Sequence, residues 1–520
     1  MALRRFTALF CAVLLALGAA SAADLSGPIR QILVEGNRAN FDMRDLDLPA
    51  LQEFYAARQF EPAWTGSPDA ERNARIALDA LAHAEDEGLQ PGRYRLQEIV
   101  LRQHAATAEA QAQYDLMLTG GVLRFIADSR EGQPDLRALD RDVELPPQDF
   151  DVPHALLDAL SSGHLAEFLA MLDPPHAAFA RLKHALARYR KIAAQGDWPQ
   201  IWDAVPELKK ISPQQAELLR RRLAYEDARV AADPAMDMKA AVEDFQNRHG
   251  IEADGRVGKK TLAELNIPAS QRADQIAANM ERWRWLPRDL GRRYVMVNAA
   301  DTTLVAVDNG QIVLRSKIIA GKPGNRTAIF AATITGITFN PSWNIPAPIA
   351  RNEILPKARR NPNYLAHNHI VFDPDGTLRQ LPGSDNALGY LKLEMQNRFN
   401  EYLHDTSSRA LFARTERHLS HGCMRVEQIR PLASFAMTGD PASDLDKIAA
   451  EISDGATKRI SLDNPVPVFV LYWTAMAQED GSVDFVPDVY GRDQRLLAAL
   501  AGKAAIGRVT MNFGDACRNG

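Results

Sequence analysis

Tyr402-Leu403-His404-Asp405-Thr406 and Ser420-His421-Gly422-Cys423-Met424-Arg425 are the two stretches that decide the reading of this chain, and His404 and Cys423 stand nineteen positions apart. A thiol nucleophile, an imidazole base and a glycine that lets the backbone turn are the parts of a cysteine acyl-transfer site. A free thiol has a pKa near ~8.5, so little of it is thiolate at neutral pH without help. His404 is the expected base, because its separation lets a strand end face a loop across the fold. Backbone amides of His421, Gly422 and Cys423 are candidates for an oxyanion hole, where one donor is worth about 2.7–4 kcal/mol. Arg425 is expected either to orient the loop or to hold a substrate carboxylate, since an arginine fork serves both. Ser420 reads as a loop hydrogen-bonder. Val426, Ile429 and Ala433 suggest a helix starting just after Arg425, whose dipole would favour the thiolate.

Around this motif the pattern is that of strands. Tyr294-Val295-Met296-Val297, Thr302 to Val307 and Gln311 to Ile319 are β-prone, and Asp308-Asn309-Gly310 between the last two is a hairpin signal. A further strand is expected over Val466 to Thr474. Residues 291–492 therefore form a β-rich unit, with a mixed helix-and-loop insertion at about 349–400. Before it, residues 269–290 read as a linker helix with Ile276, Met280 and Trp283 on one face; Trp283 and Trp285 are expected to plug an interface. Residues 210–268 read as a small three-helix module: Ser212 and Gln215 make a capping box, and Met238, Ala241, Val242 and Phe245 share a helix face. Residues 23–209 are Ala- and Leu-rich at helical spacing and read as a scaffold, with Trp64 and Trp198 in its core. The fold class is multi-domain α+β, closed by a tail over 493–520 with no assigned role.

Arg4-Arg5, an apolar run from Phe6 to Ala20 and the small residues Ala20-Ser21-Ala22 predict a cleaved signal peptide over residues 1–22. Membrane attachment is then expected only if that segment stays uncleaved. Cleavage removes two arginines and no acid, moving the formal charge from −5 to −7. So mildly acidic a surface excludes neither enzyme nor binding roles, but it argues against nucleic acid as a partner. Cys11 leaves with the signal, and Cys423 and Cys517 remain.

Two family resemblances rest on these residues. Ala241 to Ile251, with its Phe245-Gln246 pair and Gly250, followed by Asp254-Gly255-Arg256-Val257-Gly258 and Thr261-Leu262, resembles the peptidoglycan-binding domain 1 family. The two opening stretches, with Gly321-Lys322-Pro323 and Asn340 to Pro346, resemble the L,D-transpeptidase catalytic domain in its large, multi-domain Gram-negative branch. That resemblance implies a periplasmic enzyme with no cofactor. It implies that Cys423 attacks the third residue of a tetrapeptide stem, expels D-Ala and passes the thioester to a second stem as a 3→3 cross-link. It implies carbapenem acylation of Cys423, a capping subdomain at the insertion, and Tyr402 close to the site. The second ring nitrogen of His404 then has two candidate partners, the Asp405 carbonyl suggested by the family and the Asp405 carboxylate. Trp343 and Tyr390 are weaker substrate-binding candidates. Partners implied are peptidoglycan stem peptides, glycan strands and other cell-wall synthesis proteins. Water, a D-amino acid or a lipoprotein lysine are alternative acceptors.

Two rival readings attach to the same residues. His404, His418, His421 and Cys423 offer nitrogen and sulfur to zinc, but no second ligand pair accompanies them, so no metal is expected and His418 reads as a solvated loop residue. A non-catalytic wall-binding protein is opposed by the intact Ser-His-Gly-Cys-x-Arg set.

Overall fold

The computed structural model describes residues 24–35, 46–201, 211–233 and 235–502. The expected signal segment, Cys11, residues 202–210 beside the scaffold boundary, and Cys517 with the end of the tail lie outside them. Among the described residues no helix is long and apolar enough to cross a membrane. The chain divides into two compact units, and the division does not follow sequence order.

One unit draws on the chain up to Ala82, on Gly92–Arg124 and on Asp151–Phe168. It is helical. Asp47 caps helix Leu48–Ala57 by accepting the Ala50 amide, and Asp151 caps Val152–Ser162 through the His154 amide. Leu51, Phe54, Tyr55, Leu81, Ile99 and Leu116 fill its core, and Trp64 is buried with them. A buried carboxylate organises this core: Asp115 accepts the amides of Ala63 and Trp64 and the Tyr55 hydroxyl at 2.7–2.9 Å. Burial raises the Asp115 and Tyr55 pKa values, the cost of placing ionisable groups away from water.

The second unit holds residues 83–91, 125–150 and everything from Leu169 onward. Helix Ala177–Ala194 packs on helix Ala269–Arg284, burying Phe179, Leu182, Leu186 and Tyr189 against Ile276, Ala277 and Met280. Trp283 stacks on Trp473 with centroids 4.4 Å apart, so the expected plug role is what its ring does here. Helices Pro213–Ala224, Met238–Arg248 and Lys259–Leu265 surround Leu219, Leu223, Val242 and Phe245, and the Ser212–Gln215 capping box is formed. A one-turn helix, Ala228–Ala232, is added to the three expected, and Asp227 caps it by accepting the Arg229 amide. The motif glutamine locks the turn that follows its helix. The Gln246 side chain donates to Asp254, Thr261 and the Arg256 carbonyl, and it accepts the Gly255 amide.

The β-rich part closes on itself. In spatial order its strands are Ile329–Phe339, Lys458–Leu471, Arg293–Asn298, Thr303–Asp308, Gln311–Gly321, Met424–Val426, Leu403–His404 and Leu391–Met395, and the last pairs back with the first. The Asp308–Gln311 hairpin has Asn309 and Gly310 at positive φ, the conformation its tight turn requires. Lys458–Leu471 starts eight residues before the expected strand; Pro465 sits in a register irregularity between Ser461 and Val466, which is how a strand tolerates it. A two-residue strand, Val143–Glu144, joins this sheet alongside Ile329–Phe330. Helix Arg492–Leu500, at the start of the segment read as a tail with no assigned role, buries Leu496 and Leu500 against Ala278 and Trp285.

Between Phe339 and Leu391 the chain leaves the barrel. Strands Trp343–Ile345, Leu378–Gln380 and Ile370–Phe372 make a small separate sheet. With short helices from Ala347 to Arg360 it encloses Ile345, Ile349, Ile354, Ile370 and Leu378. A π-helical stretch, Ala350–Ile354, lies in this excursion.

Candidate active site

Alternation along two short strands builds the site. Leu403 and Met424 are fully buried in the barrel core and are register partners, so the next pair, His404 and Arg425, faces the other side. On the far flank of His404 its register partner is Lys392. One row across three strands therefore reads Lys392, His404, Arg425. Cys423 directly precedes the Met424–Val426 strand, and the Met424 amide donates to the Tyr402 carbonyl at 3.0 Å, tying the cysteine loop to the histidine strand. His404 is 5 % exposed and Cys423 8 %, so both sit in a sheltered environment.

The His404 imidazole is held neutral. Burial, then the Arg425 charge, and more weakly the Lys392 charge push its pKa down to about 3. The Asp405 backbone opposes this shift, yet Nδ1 of His404 is buried with no hydrogen bond of good geometry. The Asp405 carboxylate does not serve it: one oxygen accepts from Arg409 at 2.9 Å and the other from the Tyr390 amide at 3.0 Å. Gly389, at positive φ, lets that carboxylate come close; a Cβ there would lie 2.5 Å from it. The carboxylate alternative for orienting His404 is therefore corrected.

The cysteine turn is cross-braced. Ser420 Oγ donates to the Cys423 carbonyl at 2.7 Å and accepts the Gly422 amide at 3.2 Å. In this state the Gly422 amide serves the turn and is not directed at a substrate oxygen. Gly422 has φ +123°, a conformation that favours glycine. The thiol lies 3.9 Å from the Asn400 carbonyl. Arg425 is half-buried, desolvation lowers its pKa while Cys423 opposes the shift, and no carboxylate among the described residues pairs with it.

Other candidates fall in different places. Tyr402 sits with its ring centroid 5.5 Å from that of His404, beneath the Lys392 ammonium at 4.3 Å. His421 Nε2 reaches Glu353 Oε1 of the π-helical stretch at 2.7 Å, and Lys322 Nζ is 3.2 Å from the same nitrogen. With a proton there it donates to Glu353, and the ammonium is then only a neighbour. Trp343 packs against the small core of the excursion, and Tyr390 contributes backbone bonds to Asn340 and Asp405. His418 is not solvated: strand His418–Ser420 pairs with Ala320–Gly321, and its Nε2 meets the Ala299 carbonyl at 2.9 Å. His421 is directed at Glu353 and His418 at Ala299, so two of the four donors of the zinc reading point to different partners. The helix expected after Arg425 starts later, at Ile429, because Met424–Val426 is consumed as a strand.

Sequence reasoning did not single out Lys392, Glu353 or Lys322 as site residues. Lys392 had a signal: Leu391-Lys392-Leu393-Glu394-Met395 alternates strictly, the mark of a half-buried strand. Lys322 lies in the Gly321-Lys322-Pro323 run, which carried no role of its own. Glu353 had no local signal.

Comparison with known proteins agrees with this layout. Residues 49–186 match the model of a scaffold domain, residues 221–265 that of the "Putative peptidoglycan binding domain", and residues 292–443 that of the L,D-transpeptidase catalytic domain. A "Putative L,D-transpeptidase" of Haemophilus influenzae is 31% identical over 286 residues, an alignment covering 49% of this chain and 57% of that protein. The chain thus spans little more than half the length of that relative. A solved structure, of the Ldtfm-avibactam carbamoyl enzyme, has a TM-score of 0.19 and 11% identity over 40% of this chain and 64% of its own, too slight a likeness to carry an argument. The chain thus carries an L,D-transpeptidase catalytic domain, with Cys423 and His404 inside it, together with a scaffold domain and a peptidoglycan-binding domain.

Proposed function

We propose that this protein is a periplasmic L,D-transpeptidase that joins peptidoglycan stem peptides by 3→3 cross-links through a thioester on Cys423. The observation that carries the reading is the outward row of His404 and Arg425 beside Cys423, lying within residues 292–443. Cys423 Sγ attacks the carbonyl of the third stem residue as neutral His404 takes the thiol proton. His404 returns that proton to the departing amine of D-Ala, and an acceptor amine then displaces the thiol. Backbone amides of His421 and Cys423 are the proposed oxyanion donors. Arg425 receives a substrate carboxylate, since a half-buried guanidinium with no carboxylate beside it among the described residues is completed by one. Ser420 braces the turn, and Tyr402 lines the imidazole. Glycan strands are the proposed partner of residues 221–265, and a signal peptide over residues 1–22 is the proposed export route.

The test is intact mass of the mature protein and its Cys423→Ala variant after incubation with a carbapenem and with a disaccharide-tetrapeptide. A drug-sized adduct and a cross-linked dimer, both absent in the variant, support the reading. No adduct on reduced, folded wild type overturns it. Adduct with hydrolysed or exchanged product, and no dimer, keeps the thioester and changes the acceptor to water or a D-amino acid.

A further inference from the structure

The proposed mechanism leaves one buried polar assembly unused, directly behind the cysteine turn. Thr327 is fully buried. Its hydroxyl donates to the Gly422 carbonyl at 2.7 Å and accepts the Gly321 amide at 2.9 Å. Since Gly422 precedes Cys423, that first bond holds the very peptide whose nitrogen belongs to the nucleophile. Tyr490 closes the second side, donating its hydroxyl to the Gly321 carbonyl at 2.5 Å and lying 3.4 Å from the Thr327 amide.

Thr327 is itself fixed from behind. Arg492 Nη1 donates to the Thr327 carbonyl at 3.0 Å, and Arg492 Nε pairs with Asp140 at 3.2 Å. Asp140 also pairs with Arg495 at 3.1 Å, while Arg326, next to Thr327, pairs with Asp142 at 2.6 Å. The Ala328 amide donates to Glu401, one residue before Tyr402. Such a network is costly to bury unless its geometry is fulfilled, so it specifies one arrangement of the loop. Thr327 reaches the nucleophile through the Gly422 carbonyl.

We propose that Thr327 is a positioning residue, and that its hydroxyl, held in place by Arg492 and Asp140, fixes the Gly422–Cys423 peptide so that the thiol and the oxyanion donors meet the scissile carbonyl together. The inference rests on Cys423 being the nucleophile. Residues 140–144, which lie in the scaffold match, are by this argument part of the catalytic unit.

The experiment compares two reactions of the same thiol in the full chain: acylation by a carbapenem, which needs the oxyanion donors, and alkylation by iodoacetamide, which does not. Thr327→Val is expected to slow acylation on the order of 100-fold, the scale of a misplaced reacting group, with alkylation within roughly 2-fold of wild type. Thr327→Ser, which keeps the hydroxyl, is expected to restore acylation. Equal acylation in wild type and Thr327→Val overturns the inference, as does an equal fall in both reactions, which would report general loosening. If the valine variant does not fold, Tyr490→Phe carries the test, with a several-fold fall in acylation alone expected and unchanged acylation overturning it. Cys423→Ala is run alongside: an adduct surviving there sinks the nucleophile assignment itself.

Discussion

Lowering the pH tests the electrostatics of His404 directly. The folded-state pKa is about 3 against an ordinary 6.5, with burial and the charges of Arg425 and Lys392 as causes. The unfolded chain therefore takes up a proton as pH falls through 6.5, while the folded chain does not until near 3. Stability contributed by the neutral ring is present above 6.5 and is lost as pH falls from there. Between about pH 7.5 and about pH 5 the loss is about 1.5 pKa units, or ~2 kcal/mol. The ring is almost wholly buried, so solvent screening does not reduce this much. The assay is denaturant unfolding of wild type and His404→Gln at both pH values. Because the chain has several domains, the quantity read is the difference between the two proteins. Wild type should lose ~2 kcal/mol relative to the variant on going to the lower pH. An imidazole free of the burial and of the Arg425 and Lys392 charges would keep a pKa near the ordinary value, and wild type would then lose no more than the variant. A gain, or a difference within about 0.5 kcal/mol, refutes the depressed-pKa account.

Three further outcomes follow from the geometry. Arg425→Gln should raise KM for a stem-peptide donor by roughly 10- to 100-fold with a smaller change in kcat, the worth of a hydrogen bond to a charged group; a fall in kcat alone, measured by steady-state kinetics, would favour the loop-orienting role. Gly389→Ala should destabilise the protein by about 1–3 kcal/mol in thermal or denaturant unfolding, since the new Cβ meets the Asp405 carboxylate at 2.5 Å and φ is +60° there. Asp140→Asn should cost about 3–5 kcal/mol in denaturant unfolding, because it leaves Arg492 buried without its main partner.

Much of the site was legible because its chemistry is concentrated in two short runs. The residue types at His404, Cys423 and Arg425, the Asp308–Gln311 hairpin and the Ser212 capping box all carry local signals that survive folding. What sequence could not reveal depends on contacts far apart in the chain. His418 looks like any polar loop residue until a strand pairing carries its ring to the Ala299 carbonyl. Glu353 meets His421 only because the chain leaves the barrel after Phe339 and folds a separate small core. Asp405 next to His404 invited a carboxylate–imidazole pair, but backbone geometry turned that side chain toward Arg409 and the Tyr390 amide. Residues 140–144 were read as scaffold because a two-residue strand has no periodicity to detect.

The charge of the whole chain and the charge of the site point in opposite directions, and the site is the better guide to substrate. The chain is net −5, which alone would suggest indifference to acidic ligands. Yet the histidine at its centre stays neutral between Lys392 and Arg425, and Lys322 borders His421. Glu394 lies 3.8 Å from Lys392, and Glu353 is matched to His421, so neither neutralises Arg425. A guanidinium that has given up much of its hydration and found no carboxylate among the described residues has an unmet electrostatic demand. On the proposed function, a carboxylate-bearing stem peptide would meet that demand when it binds, and on binding it would remove the repulsion between Arg425 and a charged imidazole. The same event would then make His404 a stronger base, at the moment the proposed mechanism has the thiol proton leave.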